Sequence, residues 1–497
     1  MGVRVDEVVV GVREGRLRGR LQGGVASFKG VPFAAPPVGA NRMRPPQPAS
    51  SWHGVRDVLE YGPTVPKAPY MPPFDQILPE PAIPGDDCLN LNVWTPEPAG
   101  GGLPVMVWIH GGAFTNGSGA VPTYDGTAFA RDGVVCVTIN YRLGPDGFLD
   151  LADGPANLGL VDQVAALSWM RENAAAFGGD PSQITIFGES AGAMSVATLL
   201  AMPSAEGLFR RVIAQSGAGH HAISRATAQV VTRAMAERLG VEPSLAGIAG
   251  VAPERLAAAQ LELSAEIFAA PDPGRWGEVA ANLMPFEPVI DGRVLPDLPI
   301  RRIAAGAGAG VDVMIGTNTE EERLFMVPNG VVDIVDQSML EATAAGFGLP
   351  SGALDTYRAA RPGASPGDLL CAVITDWFFR IPAVRLAEAH AASGAGNFVY
   401  EFAWQSPEGR LGACHALEVA FAFDTLRSEG AEKLVGPNPP QALADEMHRA
   451  WVAFATTGDP GWPMYDPGRR AVMRFDVPSQ VVDDPAGEER RLWEGIR

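Results

Sequence analysis

Short apolar runs alternate with helical patterns from Leu91 onward. Four runs are rich in β-branched and aromatic residues, as expected of strands buried on both faces: LNVWTP, PVMVWIH, GVVCVTINY and QITIFG. Between Leu158 and Phe177 apolar residues recur at helical spacing, and GGDP then ends that segment. This alternation predicts an α/β fold with a large, mostly parallel central sheet and helices on both faces.

The remaining segments predict insertions around this sheet. The first sixty residues contain strand-like runs, VDEVVVGV and FKGVPF, and later strands are predicted from VDVMIG and NFVYEFAW. Residues 61–84 are so rich in proline that we expect an irregular lid or pocket loop. Residues 225–285 and 322–396 are predicted to be mainly helical insertions, and ALADEMHRAWVAFATTG an amphipathic helix near the end. We therefore expect residues 1–497 to form a single unit.

Charge and cysteine content exclude several classes of partner. The formal net charge is −19, so neither nucleic acid nor an anionic membrane surface is an expected partner. The N-terminus has no signal-peptide-like apolar core, and no run approaches the ~18 apolar residues of a membrane span, so we expect a cytoplasmic protein. The four cysteines lack metal-ligand spacing, which predicts free thiols and no metal site. A monomer and a homodimer are both compatible with the sequence.

A nucleophile motif directly follows the predicted strand ITIF. The motif is GESAG, with Ser190 at its centre, and the helix-like run AMSVATLLAM comes next. In such a strand–turn–helix the serine backbone is strained, and the residues two before and two after must lack side chains. The helix N-terminus also presents its positive end to a developing oxyanion. This context predicts that Ser190 is a nucleophile.

A second glycine turn, HGGAF, follows the predicted strand PVMVWIH. Backbone N–H groups in such a turn can approach a substrate carbonyl closely because no side chain intervenes. Together with the N–H of the residue after the nucleophile, they would form an oxyanion hole. We therefore predict an oxyanion hole made by Gly112, Ala113 and Ala191, with Gly111 as a weaker candidate. His110 is expected to hold this loop in shape rather than to act as a base.

At sites of this kind the chain order is serine, then acid, then histidine. The base is therefore expected among the histidines that follow Ser190. His390 and His448 lie in helical patterns, and His220 and His221 follow the nucleophile helix too closely to leave room for an acid-bearing strand. His415 lies in the loop GACHALE after a predicted strand, where a rigid scaffold can position an imidazole. We therefore predict His415 as the general base.

The acid is expected just beyond the strand VDVMIG. Glu320, Glu321 and Glu322 are consecutive there, and three neighbouring carboxylates cannot all enter one site. Two of the three are therefore expected to be solvated surface charges. The residues alone leave the choice among the three open.

The ordered motifs resemble the carboxylesterase–cholinesterase (type B carboxylesterase) family, and most of all its bacterial para-nitrobenzyl esterase-type members. They span nearly the whole chain and include FKGVPFAAPPVGANRMRPPQP, DDCLNLNVWTP, WIHGGAF, NYRLGPDGFL, ITIFGESAG, FRRVIAQSG, GTNTEE, HALEVAFAF and FATTGDPGWPMY. The resemblance implies the α/β-hydrolase fold, with helical and loop insertions forming the lid and pocket walls. It also implies serine carboxylesterase activity through a Ser–His–Glu triad, with no cofactor.

The resemblance also assigns individual residues. It selects Glu321 as the acid, because this glutamate lies five residues after the first glycine of GTNTEE. Glu320 is the runner-up, since Glu322 stands where the family usually has a glycine. The resemblance further implies a structural salt bridge between Asp86 and Arg142.

Two departures from the family pattern bear on function. Eukaryotic members form a disulfide at the position of Cys88, but this chain has no cysteine upstream of it. Cholinesterases have a choline-binding tryptophan in the loop where this chain has Leu78 and no tryptophan. Cholinesterase activity is therefore not expected.

The substrate is an ester of small-molecule size, and its pocket is expected to be apolar. The candidate pocket residues are Phe74, Phe114, Leu324, Phe325, Met326, Phe378 and Phe421. Such a wall favours uncharged, bulky or aromatic esters. The same triad would also cleave carbamates, amides or lactones, and a purely binding role is disfavoured because Ser190, Glu321 and His415 are all present.

Overall fold

The computed structural model describes residues 5–98 and 100–497. Residues 1–4 lie outside the described residues. They belong to the predicted single unit and to the N-terminal segment from which the cytoplasmic location was predicted. The strands are β1 (Val5–Val12), β2 (Gly15–Gln22), β3 (Val25–Pro32), β4 (Val55–Asp57), β5 (Asn90–Thr95), β6 (Leu103–Ile109), β7 (Val135–Ile139), β8 (Gly179–Glu189), β9 (Arg211–Gln215), β10 (Ile223–Ser224), β11 (Val289–Ile290), β12 (Asp312–Asn318), β13 (Asn397–Phe402), β14 (Ala471–Phe475) and β15 (Gln480–Asp483).

Helices occupy most of the chain between these strands. They are α1 (Thr127–Arg131), α2 (Gly144–Phe148), α3 (Leu158–Asn173), α4 (Ala191–Ala201), α5 (Arg225–Leu239), α6 (Leu245–Ala249), α7 (Pro253–Ala269), α8 (Pro273–Trp276), α9 (Val279–Asn282), α10 (Pro299–Ala304), α11 (Arg323–Met326), α12 (Val331–Ile334), α13 (Gln337–Gly346), α14 (Ala353–Ala360), α15 (Pro366–Thr375), α16 (Ile381–His390), α17 (Val419–Ala422), α18 (Glu432–Val435), α19 (Gln441–Thr457) and α20 (Gly487–Leu492). A π-helical turn, Asp376–Arg380, connects α15 to α16.

One large sheet organises the described residues. Its strand order is β1-β2-β3-β5-β7-β6-β8-β9-β12-β13-β14-β15, and β4 pairs with β2. Neighbouring strands run parallel from β7 through β14, whereas β1, β2, β3, β5 and β15 join the sheet by antiparallel pairing. The predicted α/β fold with a mostly parallel sheet is confirmed. The loops after β6, β8, β12 and β13 meet at one edge, because the carboxyl ends of parallel strands share an edge.

Helices cover both faces of the sheet, as the buried strand pattern predicts. Along β6, Val105, Val107 and Ile109 pack into one buried cluster that includes residues of α3 and α4. The alternate residues Met106 and Trp108 pack into a second cluster with residues of α17 and α19. Because successive side chains of a strand point to opposite faces, a strand with two apolar faces must be covered on both sides.

The predicted insertions surround the edge where these loops meet. Helices α5–α9 lie within residues 225–285, and helices α11–α16 lie within residues 322–396. Residues 61–84 are irregular apart from one 3₁₀ turn, Phe74–Gln76. A buried ion pair joins Lys67 to Glu80 at 3.1 Å and so closes this loop upon itself.

The implied salt bridge between Asp86 and Arg142 is wrong. Arg142 Nε and Nη2 donate to the two carboxylate oxygens of Asp162 in α3, at 2.7 and 2.6 Å, and both side chains are buried. Asp86 is exposed. A charge buried in a helix requires a partner of opposite charge, and Asp162 therefore takes the guanidinium.

All four cysteines are buried and free, at Cys88, Cys136, Cys371 and Cys414. In the part of the chain that the structure describes, every helix is too short or too polar to cross a bilayer.

Candidate active site

Ser190 lies in the turn between β8 and α4, at the edge where the loops meet. Its backbone is in the strained positive-φ region, with φ 58° and ψ −125°. The flanking glycines allow this turn to press against β6: a Cβ on Gly192 would lie 1.9 Å from the carbonyl oxygen of Ile109, and one on Gly188 would lie 2.6 Å from it. Larger residues at either position would displace the serine.

The turn is supported from the next strand. Ser190 N donates to the carbonyl oxygen of Gln215 at 2.9 Å. The side chain of Gln215 in turn accepts a hydrogen bond from Trp451 Nε1 of α19, also at 2.9 Å. The backbone of Ser190 is therefore supported by a residue far away in the sequence.

His415 and Glu321 lie together beside this turn. His415 Nδ1 is 2.7 Å from Glu321 Oε2, and Glu321 is fully buried. Glu321 Oε1 accepts from the backbone N–H of Asn318 at 2.7 Å, which holds the carboxylate in place. Glu320, the alternative acid, instead accepts from the backbone N–H of Ala413 at 3.0 Å and does not face the imidazole.

Two further carboxyl groups surround His415, and the sequence analysis did not predict either of them. Glu189 Oε1 lies 2.9 Å from His415 Nε2. Glu418 accepts hydrogen bonds from Asn318 Nδ2 at 2.7 Å and from Gln215 Nε2 at 3.2 Å. Both lie in quoted motifs, GESAG and HALE, so their proximity to Ser190 and His415 in the sequence was the available signal.

These carboxyl groups control the protonation of the site. Burial lowers the pKa of His415, but Glu189 and Glu321 raise it, and the net pKa lies well above the ordinary histidine value. Burial, together with the charges of Glu189 and Glu321, raises the pKa of Glu418 to about 8. A protonated imidazole is therefore stabilised here, and the neutral form that can accept a proton prevails only at higher pH than for a free histidine.

The HGGAF turn packs against the nucleophile. Gly112 and Ala113 have φ of 107° and 52°, and a Cβ on Gly111 would lie 3.0 Å from Ser190 Cβ. Within the described ranges, no group accepts a hydrogen bond from the backbone N–H of Gly112, Ala113 or Ala191. Three unused donors thus lie around the serine, and the first two residues also line the adjoining cavity.

His110 shapes this turn. It is fully buried, stacks on Tyr141 with ring centroids 4.5 Å apart, and its Nδ1 lies 2.8 Å from the carbonyl oxygen of Gly111. The Tyr141 hydroxyl donates to the His110 carbonyl at 2.8 Å. Burial lowers the pKa of His110 to about 3, so the ring stays neutral at physiological pH.

A cavity of about 690 Å³ opens above Ser190 and His415. Its wall is mostly apolar and comes from the proline-rich loop of residues 61–84, α9, α11, the π-helical turn and the loop after β13. Of the predicted pocket residues, the structure places the following in this wall: Phe74, Leu324, Phe325, Met326 and Phe378. The wall also contains residues that the prediction missed, among them Tyr70, Ile77, Leu78, Leu283, Met284 and Phe379.

Phe114 and Phe421 are not part of this wall, which corrects the prediction for both. Each is fully buried: Phe114 packs on Phe148 with centroids 4.9 Å apart, and Phe421 packs between Phe402 and Trp404 at 5.1 and 5.2 Å. For Phe114, the position beside the HGGAF turn in the sequence suggested the pocket. The positive φ of Phe114, 60°, instead turns the side chain into the core.

The proline-rich loop of residues 61–84, called the lid loop here, is attached to the HGGAF turn by polar contacts. Glu80 accepts a hydrogen bond from the backbone N–H of Gly117 at 3.2 Å, and Asn116 Nδ2 donates to the carbonyl oxygen of Ala68 at 2.8 Å. Asn116 N also donates to the carbonyl oxygen of Gly112 at 2.8 Å. The cavity wall and the turn with the unused donors therefore form one connected unit.

Among the described residues, no group of three or more His, Cys, Asp or Glu side chains is arranged to hold a metal ion.

Comparison with known proteins decides the family. The family model described as the carboxylesterase family matches residues 6–493. The chain belongs to the carboxylesterase family. The esterase is 37% identical to para-nitrobenzyl esterase of Bacillus subtilis (strain 168), over 97% of this chain and 98% of that protein. It is also 37% identical to phenmedipham hydrolase of Pseudarthrobacter oxydans, over 96% and 94%.

A solved structure gives the same result for the fold. The crystal structure of a Geobacillus stearothermophilus carboxylesterase superposes with a TM-score of 0.86 at 41% identity, covering 98% of this chain and 99% of that chain. These findings confirm the predicted family, the α/β-hydrolase fold and a serine carboxylesterase activity. The names of these relatives indicate different substrates.

Proposed function

We propose that the esterase hydrolyses uncharged, bulky or aromatic carboxylic esters through Ser190, His415 and Glu321. The observation that supports this most strongly is the 2.7 Å contact between His415 Nδ1 and Glu321 Oε2, in a loop that borders the same cavity as Ser190. A buried carboxylate in this position fixes the imidazole orientation and stabilises its charge when it accepts a proton.

The reaction runs in two acyl-transfer steps. His415 accepts the hydroxyl proton of Ser190 as the serine oxygen attacks the ester carbonyl carbon. The N–H groups of Gly112, Ala113 and Ala191 stabilise the tetrahedral oxyanion. His415 then gives the proton to the leaving alcohol as the C–O bond breaks, and water repeats the sequence on the acyl-enzyme.

The cavity wall supports the preference for uncharged esters. Its residues include the carboxyl groups of Glu189 and Glu322, and no lysine or arginine occurs among the lining residues that the structure describes. An anionic ester would meet the like charge of Glu189 with no lysine or arginine to offset it. The volume of about 690 Å³ accommodates a bulky or aromatic group.

The test is the variant Ser190→Ala, which we expect to lose about 10³-fold or more in kcat while folding normally. Ser338→Ala, at an exposed serine, is the matched control and is expected to keep its activity. A fluorophosphonate probe should label Ser190 in the wild-type protein. Turnover at the wild-type rate by Ser190→Ala, or labelling at another residue, would refute the proposal. Matched aryl esters, carbamates, lactones and anilides would then rank the bonds that the triad cleaves.

A further inference from the structure

Glu322 adds a carboxyl group to the apolar cavity wall. It directly follows the triad acid and stands where the sequence departs from the family pattern, which usually has a glycine there. Its backbone N–H donates to Thr375 Oγ1 of α15 at 3.2 Å, which fixes the residue at this place. Its side chain lines the cavity together with Ser190 and His415.

Glu322 is half-buried at the border of an apolar space, and among the described residues only its backbone forms hydrogen bonds, which leaves the carboxyl without a protein partner. The titratable groups that act on it are Glu321 of its own turn, His415 of the loop after β13 and the Cys371 thiol of α15. Burial raises the pKa of Cys371 to about 12, so the thiol is neutral. A polar group without a protein partner in an apolar wall costs free energy unless a bound molecule satisfies it.

We infer that Glu322 is a specificity-determining residue, which donates a hydrogen bond to neutral esters that have a second acceptor oxygen besides the scissile carbonyl. The inference rests on the proposed function, because it assigns a substrate class to the same site. Ethers, ketones and second carbonyl groups near the scissile bond belong to this class.

The protonation state of Glu322 supports the donor role. Burial raises the pKa of Glu322 to about 8; the charge of Glu321 also raises it, and His415 lowers it. The group is therefore mostly a neutral carboxylic acid at pH 7, with one O–H to donate. A buried carboxylic acid kept neutral in this way is an established type of hydrogen-bond donor in enzyme sites.

The cavity also explains why such a donor discriminates between esters. An ester without the second acceptor leaves the Glu322 O–H unpaired against an apolar group, whereas an acceptor-bearing ester satisfies it. One neutral hydrogen bond of this kind corresponds to a preference of about 3- to 10-fold in kcat/KM. A cationic ester would instead be favoured if the carboxyl acted in its charged form, and this difference can be measured.

The experiment compares pairs of 4-nitrophenyl esters of equal chain length, in which an ether oxygen replaces one methylene group. Each kcat/KM ratio is corrected for the alkaline hydrolysis rates of the two esters. At pH 7 we expect the wild-type protein to prefer the ether-containing ester by about 3- to 10-fold. Glu322→Gly should bring the ratio to about one, and Glu322→Gln, which keeps an N–H donor, should maintain the preference.

Raising the pH provides a second measurement on the folded wild-type protein. At pH 9.5 the Glu322 carboxyl is ionised, so the wild-type preference should disappear while Glu322→Gln retains it. Glu341→Gln removes an exposed carboxylate and is the charge-matched control; it should behave as the wild type at both pH values.

Three outcomes would overturn the inference: an unchanged ratio in Glu322→Gly, a wild-type ratio that does not change with pH, or a preference of the wild type for amine-bearing esters at pH 7. Each of these would leave the proposed function intact as long as hydrolysis still depends on Ser190. Loss of that dependence would instead refute the proposed function. The wild-type and Glu322→Gln measurements keep the test valid even if Glu322→Gly does not fold.

Discussion

The ion pair in the lid loop provides a prediction whose size can be derived from the structure. Lys67 Nζ lies 3.1 Å from Glu80 Oε1, and the two side chains are only 4% and 11% exposed. The ammonium also donates to the carbonyl oxygen of Pro81 at 3.1 Å, and Glu80 accepts the N–H of Gly117. Replacing Lys67 with methionine keeps the apolar part of the side chain and leaves the Glu80 carboxylate buried without its counterion.

The cost of this change has an upper limit set by protonation. Removing one partner of a buried pair typically destabilises a protein by about 3–5 kcal/mol. Glu80 can escape that cost by binding a proton, and at pH 7 this requires about 3.7 kcal/mol for a glutamate with the usual pKa of about 4.3. Because burial already raises the pKa of Glu80, the actual cost is lower. We therefore expect Lys67→Met to lose about 2–4 kcal/mol of unfolding free energy at pH 7.

The same reasoning fixes the pH dependence. A carboxyl whose pKa is higher in the folded than in the unfolded state binds more protons when folded, so the folded state gains relative stability as the pH falls. In Lys67→Met the pKa of Glu80 rises further, because the ammonium that lowers it is gone. At pH 5 the protonation cost is only about 1 kcal/mol, and the difference between variant and wild type should shrink accordingly.

The assay is urea unfolding followed by tryptophan fluorescence at pH 7 and pH 5. The double variant Lys67→Met/Glu80→Gln contains no buried charge and keeps an acceptor for Gly117, so it should recover most of the lost stability. Lys433→Met removes an exposed cation and serves as the control. The reasoning is refuted if Lys67→Met unfolds like the wild type at pH 7, or if the double variant is as unstable as the single one.

Two further predictions concern the nucleophile turn. Glu189→Gln removes a charge that raises the pKa of His415, so the acid limb of kcat/KM against pH should move to lower pH; an unmoved limb would show that Glu189 does not control the base. Gly192→Ala places a Cβ against the carbonyl oxygen of Ile109 and should lower the free energy of unfolding by about 1–3 kcal/mol. It should also lower the esterase activity, because the Ser190 turn is displaced. Gly346→Ala, where a Cβ meets nothing within 4 Å, is the comparison in urea unfolding, and equal stability of the two variants would contradict the steric argument.

Most of the sheet could be predicted because its strands are buried on both faces. Runs such as PVMVWIH contain almost no polar residue, and only a central strand covered by helices has that pattern. Strands at the margins were harder to recognise. In β2, GRLRGRLQ, charged residues alternate with leucine and glycine because much of that strand is exposed or half-buried, and the parallel-strand pattern does not apply to it.

Sequence order and local context indicated Ser190 and His415, and the family resemblance selected Glu321, but neither predicted the pairwise contacts. Arg142 pairs with Asp162 rather than Asp86 because the folding of α3 onto the sheet brings the two buried charges together. An aspartate within the mostly apolar run LGLVDQVAAL was the available signal. The pocket wall was predicted only in part, because the direction of Phe114 depends on a positive φ that the sequence pattern does not reveal.

The support of Ser190 by Gln215, and of Gln215 by Trp451, has a consequence for how the protein is made. The contact between Gln215 and Trp451 joins residues 236 positions apart. During synthesis the ribosome therefore releases the nucleophile turn long before His415 and Trp451 emerge. A nascent chain that already contains Ser190 has neither the proposed base, His415, nor the supporting Trp451. We therefore expect ester hydrolysis only once nearly the whole polypeptide has been translated.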